Sequence, residues 1–330
     1  MTVPIVAFFN NRSGVGQTSL VYHMAWMNAD LGRTVVAVDL DPQANLTAAF
    51  LDEERIEALW RGGGDHGTIY DAMSALARGV RDLQTPVRET ISTRLHLIAS
   101  HLAVSGCEDE LAREWPICLN GSARALRVTT AFWRCIQRVA EEVSADVALV
   151  DLCPELGAIN RAALIASDYL VVPVAPDLFS FQGLRNLGPF LRVWRAEWAD
   201  RVARNPEKKL TLPAGTMNPV GYVVLEPIIR LERPAGAVDR WMARIPSVYS
   251  EAVLGRPAVA SHPEADPQCL GMVKRYGSLM PLSQTARKPV FHLGAGDGAV
   301  GAPDEAAGDT RRDFEALAHR IAAASWQRAE

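Results

Sequence analysis

Short runs rich in β-branched residues alternate along this chain with longer segments of helical pattern, and that alternation limits its fold more than any other feature. The runs are Ile5 to Phe9, Val35 to Asp39, Leu95 to Ala99, Val147 to Leu152, Tyr169 to Val174 and Val220 to Leu225. Strands separated by about ten or more helix-like residues need βαβ crossovers, and therefore predict a mainly parallel sheet with helices on both faces. The runs at 147 to 150 and 170 to 174 are continuously apolar, as strands covered on both sides must be. The predicted class is α/β, doubly wound.

Between the strands, Arg124 to Val143 and Ser180 to Val202 read as long helices, whereas the Gly-rich stretches Arg61 to Gly67 and Gly294 to Gly308 read as loops. No internal repeat or linker breaks the pattern, so residues 1–330 are expected to form a single domain with loop-rich insertions around 52–68 and 294–309. The five cysteines (Cys107, Cys118, Cys135, Cys153, Cys269) lack the spacing of a zinc or redox site and are expected as reduced, mostly buried thiols. The N-terminus has no signal-peptide pattern, and no apolar stretch reaches the roughly 18 residues of a membrane span. A cytoplasmic protein is expected.

The first strand runs into Asn10-Asn11-Arg12-Ser13-Gly14-Val15-Gly16-Gln17-Thr18-Ser19, followed by a helix-like run from Leu20 to Leu31. A strand, a Gly-containing loop and a helix N-terminus in that order can cradle an anion, because loop amides converge on it and the helix dipole favours negative charge. The pattern G-x-x-x-x-G-K-[ST] is not matched, since Asn11 stands at the first glycine and Gln17 at the lysine. Taken alone, the segment is compatible with a nucleotide loop and with a plain strand-to-helix turn.

Further segments carry a resemblance. The second strand closes in Val38-Asp39-Leu40-Asp41-Pro42-Gln43, and the fourth in Leu149-Val150-Asp151-Leu152-Cys153-Pro154-Glu155-Leu156-Gly157. Together with Tyr169 to Pro176 and Ser283 to Val290, these resemble the ParA/MinD-type P-loop ATPases with a deviant Walker A loop, K-G-G-x-G-K-[ST]. In that alignment Arg12 stands at the signature lysine, Ser13 at a glycine and Gln17 at the phosphate lysine, while Gly14, Gly16 and Thr18 are kept. The family has a second proline where Glu155 stands.

The resemblance implies ATP or ADP and Mg²⁺ as cofactors. Ser13, Gly14, Val15, Gly16, Gln17, Thr18 and Ser19 would surround the phosphates. Thr18 and Asp151 would hold magnesium with Asp39 nearby, Asp41 would position the attacking water, and Arg12 would reach a partner subunit's nucleotide. Gln17 offers a neutral hydrogen bond in place of a charge-assisted one, so affinity should fall on the order of tenfold and hydrolysis further. Ser13 would cost about 1 kcal/mol if its position demands positive φ.

The resemblance also implies a homodimer formed on nucleotide binding, non-specific DNA association, a stimulating ParB-like or adaptor protein, and nucleoid-associated work in segregating or positioning a cargo. The alternative is a pseudo-ATPase scaffold or nucleotide sensor on the same fold. A third reading, a biosynthetic relative of the fold, would need cluster-ligating cysteines at suitable positions for a nitrogenase-type reductase or a glutamine-hydrolysing domain for a cobyrinate amidase. Between Arg185 and Arg244 there are eleven basic and six acidic residues, in a chain of formal net charge −4. Arg230, Arg233, Arg240 and Arg244 are the candidates for phosphate contacts, and a solvated helix face is the competing reading. Phe314, Leu317, Ala318, Ile321 and Ala322 share one helical stripe and predict a packed core helix instead of a membrane-surface one. Trp194 and Trp198, one turn apart, are likewise expected in the core.

Overall fold

The computed structural model describes residues 2–61, 67–77, 83–225, 235–274, 279–298 and 303–327. One sheet of eight strands organises it: β1 (Ile5–Phe8), β2 (Val35–Asp39), β3 (Arg88–Ser92), β4 (Leu95–Ile98), β5 (Val147–Asp151), β6 (Tyr169–Val174), β7 (Asn218–Leu225) and β8 (Cys269–Val273). Their order is β3-β4-β2-β5-β1-β6-β7-β8, with every neighbouring pair parallel except the β3–β4 hairpin at one edge. All six expected strands are present. The two edge strands β3 and β8 were not anticipated, because Arg88–Ser92 is polar and half exposed and Cys269–Val273 is short and interrupted by Gly271.

The helices in chain order are α1 (Gln17–Asp30), α2 (Asn45–Phe50), α3 (Glu53–Arg61), α4 (Ile69–Ala77), α5 (Cys107–Ile117), α6 (Ala123–Thr129), α7 (Ala131–Glu142), α8 (Ala158–Ile165), α9 (Leu178–Ala203), α10 (Ala235–Met242), α11 (Ile245–Val248), α12 (Leu279–Ala286) and α13 (Pro303–Ala324). Successive strand residues point to opposite sides, so each strand feeds two cores. Ile5, Ala7, Val36, Val38, Ala148 and Val150 join α7, α8 and α9 on one face, whereas Val6, Phe8, Val35, Ala37, Val147 and Leu149 join α1 and α13 on the other. This is the doubly wound α/β architecture.

Three expectations need correction. The 52–68 stretch carries helix α3 instead of a loop, with only residues 62–66 outside the description, and α13 begins at Pro303, inside the expected 294–309 loop. The long helix expected from Arg124 to Val143 is two helices, broken where Thr130 turns its hydroxyl onto the Leu126 carbonyl. The α13 stripe is fully packed, with Phe314, Leu317, Ala318, Ile321 and Ala322 all buried, and Trp194 and Trp198 are core residues of α9. The cysteines are free thiols, three buried and two half-buried. No helix among the described residues is long and apolar enough to cross a membrane.

Candidate functional site

The site lies at the C-terminal ends of the central strands, where the strand order changes direction and a crevice opens. In register, Phe8 pairs with Asp151 across β1 and β5, and Asp39 pairs with Asp151 across β2 and β5. Three strand ends therefore deliver the glycine loop and two acidic segments to one place.

The loop from Asn10 to Gly16 turns through two left-handed residues, Gly14 at φ 72° and Gly16 at φ 92°, conformations that a Cβ would strain. Gly16 is the N-cap of α1, and no side chain caps it, so the first amides of the helix face the loop without an internal acceptor. Ser13 is not among the left-handed residues, so the conformational cost expected there is absent. A cavity of about 480 Å³ opens over the loop, lined by Arg12 to Ser19, by Tyr22 and His23 of α1, by Asp41, Gln43 and Asn45, and by Met280, Ser283 and Gln284 of α12.

The acidic residues divide their tasks. Asp41 lines the cavity and accepts the Gln43 amide at 2.9 Å. Asp39 is fully buried with both oxygens engaged, one by the Asp41 amide and the other by the amide and hydroxyl of Thr47 at 2.8 and 2.7 Å. Burial, then the neighbouring Asp151, pushes its carboxyl up to about 8. Asp39, expected near the cation, braces the turn into α2. Asp151 is also buried and is pushed up to about 6 by that burial, against hydrogen bonds from Gln17 and Thr18 that favour its charged form. Its Oδ2 has no hydrogen-bond partner. A buried oxygen left open, on a carboxylate that Thr18 also contacts, suits a hard cation such as Mg²⁺, which takes few carboxylates and draws its other ligands from phosphate and water.

Gln17 does not present its amide to the cavity. It is 9% exposed, donates to Asp151 Oδ1 at 2.9 Å and to the Leu152 carbonyl at 2.6 Å, and accepts the Asn10 amide at 3.2 Å. The neutral donor to phosphate expected at this position is therefore turned inward. Arg12 is likewise committed within the chain: Nε and Nη2 form a fork on both oxygens of Asp177 at 3.1 and 2.7 Å, and Nη1 donates to the Ser13 carbonyl. Asn11 donates to the Pro154 carbonyl and accepts from Asn186 of α9, while Asn160 donates to the carbonyls of Cys153 and Glu155. The segment after β5 is thus held at three carbonyls without the second proline.

Asp177, Asn186, Asn160 and the α12 residues were not anticipated. Asp177 carries a local signal, an acid three residues before Ser180, whose amide it caps. Its bond to Arg12 spans 165 positions and leaves no trace in sequence.

The basic stretch is only partly a surface. Arg230 and Arg233 lie outside the described residues. Arg201 is 4% exposed, its guanidinium 3.8 Å from the Trp115 ring centroid and bonded to the Trp115 carbonyl. Arg195 and Arg204 also bind backbone carbonyls, of Thr216, Met217 and Leu119. Arg185, Arg240 and Arg244 are exposed, the last lying over Phe181 and Trp241.

A parallel sheet whose first strand enters a left-handed glycine loop and an uncapped helix, with acids on the ends of β5 and β2, defines a P-loop nucleotide-binding protein. The AAA domain family matches residues 3–202. The sporulation initiation inhibitor protein Soj of Bacillus subtilis is 27% identical over 184 residues, covering 56% of this chain and 62% of Soj. A protein from Corynebacterium diphtheriae superposes at a TM-score of 0.68 and 20% identity over 98% of each chain. The septum site-determining protein MinD of Pyrococcus horikoshii, solved with Mg-ADP, superposes at 0.53 and 14% identity over 97% of this chain and 96% of that one. The chain belongs to the AAA-domain family of ParA/MinD-type P-loop ATPases. It spans about three fifths of Soj's own length.

Proposed function

We propose that this chain is a ParA-like partitioning or positioning protein that takes ATP and magnesium at the glycine loop, pairs with a second copy when loaded, and hydrolyses ATP slowly or not at all. The observation that carries this reading is the uncapped N-terminus of α1 behind the left-handed Gly14 and Gly16, facing Asp41 across one cavity. Amides from Ser13 to Ser19 would receive the phosphates, and Thr18 with Asp151 would hold the cation. Magnesium, when bound, neutralises phosphate charge. Asp41, at the cavity wall, would orient a water. Arg12 would reach a second copy's nucleotide only after leaving Asp177.

Slow turnover follows from position 17. Phosphoryl transfer places charge on the γ-oxygens, and a lysine's charge there lowers the barrier, whereas an inward-turned carboxamide supplies none. The same observation favours a second reading, a pseudo-ATPase scaffold or sensor that binds nucleotide without turnover. The exposed Arg185, Arg240 and Arg244 support sequence-indifferent DNA association, with a ParB-like or adaptor partner regulating the cycle at the nucleoid.

The test combines titration of a fluorescent ATP analogue in excess magnesium, phosphate release, and light scattering for mass. Weak binding, nucleotide-dependent doubling of mass and scant phosphate release are expected. Binding without mass change or turnover would favour the sensor, and no binding at millimolar analogue would overturn the nucleotide site.

A further inference from the structure

The hydrogen bonds of Gln17 fix its orientation. A carboxylate and a carbonyl can only accept, and a backbone N–H can only donate, so Nε2 must face Asp151 Oδ1 and Leu152 while Oε1 faces Asn10. Both amide hydrogens therefore point to the end of β5. One engages Oδ1 of Asp151, whose buried Oδ2 has no partner, and the other engages the Leu152 carbonyl. The first residue of α1 is in this way tied to the carboxylate that the fold sets beside Thr18.

We propose, on the reading that this loop binds nucleotide with magnesium, that Gln17 is a positioning residue for the cation-side carboxylate and not a phosphate ligand. It holds Asp151 in one rotamer, with Oδ1 engaged and Oδ2 left open. Groups that orient a ligating carboxylate in this manner typically change metal affinity by about 10- to 100-fold when removed. A phosphate ligand would behave differently: its loss would weaken nucleotide binding with or without the metal.

The experiment uses the full chain and a fluorescent ATP analogue, titrated in EDTA and in increasing Mg²⁺, for the unmodified protein, Gln17→Met, Asp151→Asn and the double variant. Methionine keeps the length and packing of glutamine but makes no such hydrogen bonds, and thermal unfolding checks that each variant is folded. The half-saturating Mg²⁺ concentration should rise about tenfold in Gln17→Met, and the loss of nucleotide affinity in Mg²⁺ should exceed the loss in EDTA at least fivefold. In the Asp151→Asn background, Gln17→Met should add less than twofold, because the two act as one unit. Equal losses in Mg²⁺ and in EDTA, or additive effects in the double variant, would overturn the assignment while leaving the nucleotide site standing. Absence of analogue binding by the unmodified protein at saturating Mg²⁺ would instead overturn the nucleotide reading, and this assignment with it. Should Gln17→Met fail to fold, Gln17→Leu replaces it and is read in the same way: a loss of nucleotide affinity as large in EDTA as in Mg²⁺ would overturn the proposal.

Discussion

Arg12 and Asp177 form a two-pronged ion pair that ties the phosphate loop to the N-terminus of α9, at 3.1 and 2.7 Å. The pair is partly solvent-exposed, 22% for the arginine and 10% for the aspartate side chain, so its net contribution is about 1 kcal/mol. The loop cation is thereby balanced by a carboxylate of the same chain. Any phosphate that recruits Arg12, in this chain or in a second copy, must compete with Asp177 for it.

Asp177→Asn should release Arg12 while keeping an oxygen to cap the Ser180 amide, since asparagine caps helices as well as aspartate does. Affinity for an ATP analogue should rise about fivefold, for about 1 kcal/mol of competition removed. Thermal unfolding should shift by only a few degrees. Paired titrations of the two proteins measure this, and unchanged or weaker binding would show that Arg12 meets no phosphate, in its own chain or in a second copy.

Asp41→Asn should abolish any phosphate release that the unmodified protein shows, while changing analogue affinity by less than about threefold, because a water-orienting group acts mainly in the transition state. The asparagine keeps an acceptor for the Gln43 amide, so the turn before α2 should survive. Phosphate release and binding, measured on the same preparations, separate the two effects. Residual turnover equal to that of the unmodified chain would remove Asp41 from the chemistry.

His23 donates from Nδ1 to the Ser19 carbonyl at 2.6 Å and accepts the Val290 amide at Nε2, which requires the neutral ring. It is stacked on Phe314 at 4.9 Å, and burial lowers its pKa to about 4. For a base whose folded pKa is depressed, stability is complete above the unfolded value near 6.5 and is lost as pH falls toward 4. The loss is on the order of 3 kcal/mol. Urea unfolding of the unmodified protein and His23→Phe between pH 7 and pH 4 should show the stability difference between them shrinking or reversing as pH falls. A pH-independent difference would mean that the imidazole does not titrate in this window.

Charge reversal at Arg240 should weaken binding to all duplexes alike, and the salt dependence should become shallower by about one unit in log K against log salt. Arg201→Glu should instead destabilise the fold, because that guanidinium is buried against Trp115. Fluorescence anisotropy with unrelated duplexes at about 50 and 200 mM salt compares the two. If the folded protein ignores DNA at the lower salt with and without nucleotide, the exposed arginines are a solvated face.

Much of this molecule was determined by its sequence alone. Local patterns carry local information, so the runs at Val35–Asp39 and Tyr169–Val174 are strands with the expected bounds, and α13 buries the expected stripe. The same holds for Gly14 and Gly16, whose left-handed conformations glycine alone adopts without strain. Tertiary structure decided what those elements do to one another. A side chain's direction depends on which partners lie within about 3 Å, and partners such as Arg12 and Asp177, 165 positions apart, become neighbours only through the sheet order. For the same reason Gln17 faces Asp151 instead of the cavity, Asp39 is a brace, and Arg201 is a core residue despite its charge. Charge and residue type are written in the chain, but whether a polar group meets solvent, a ligand or another side chain is a question of distance that only the folded arrangement answers.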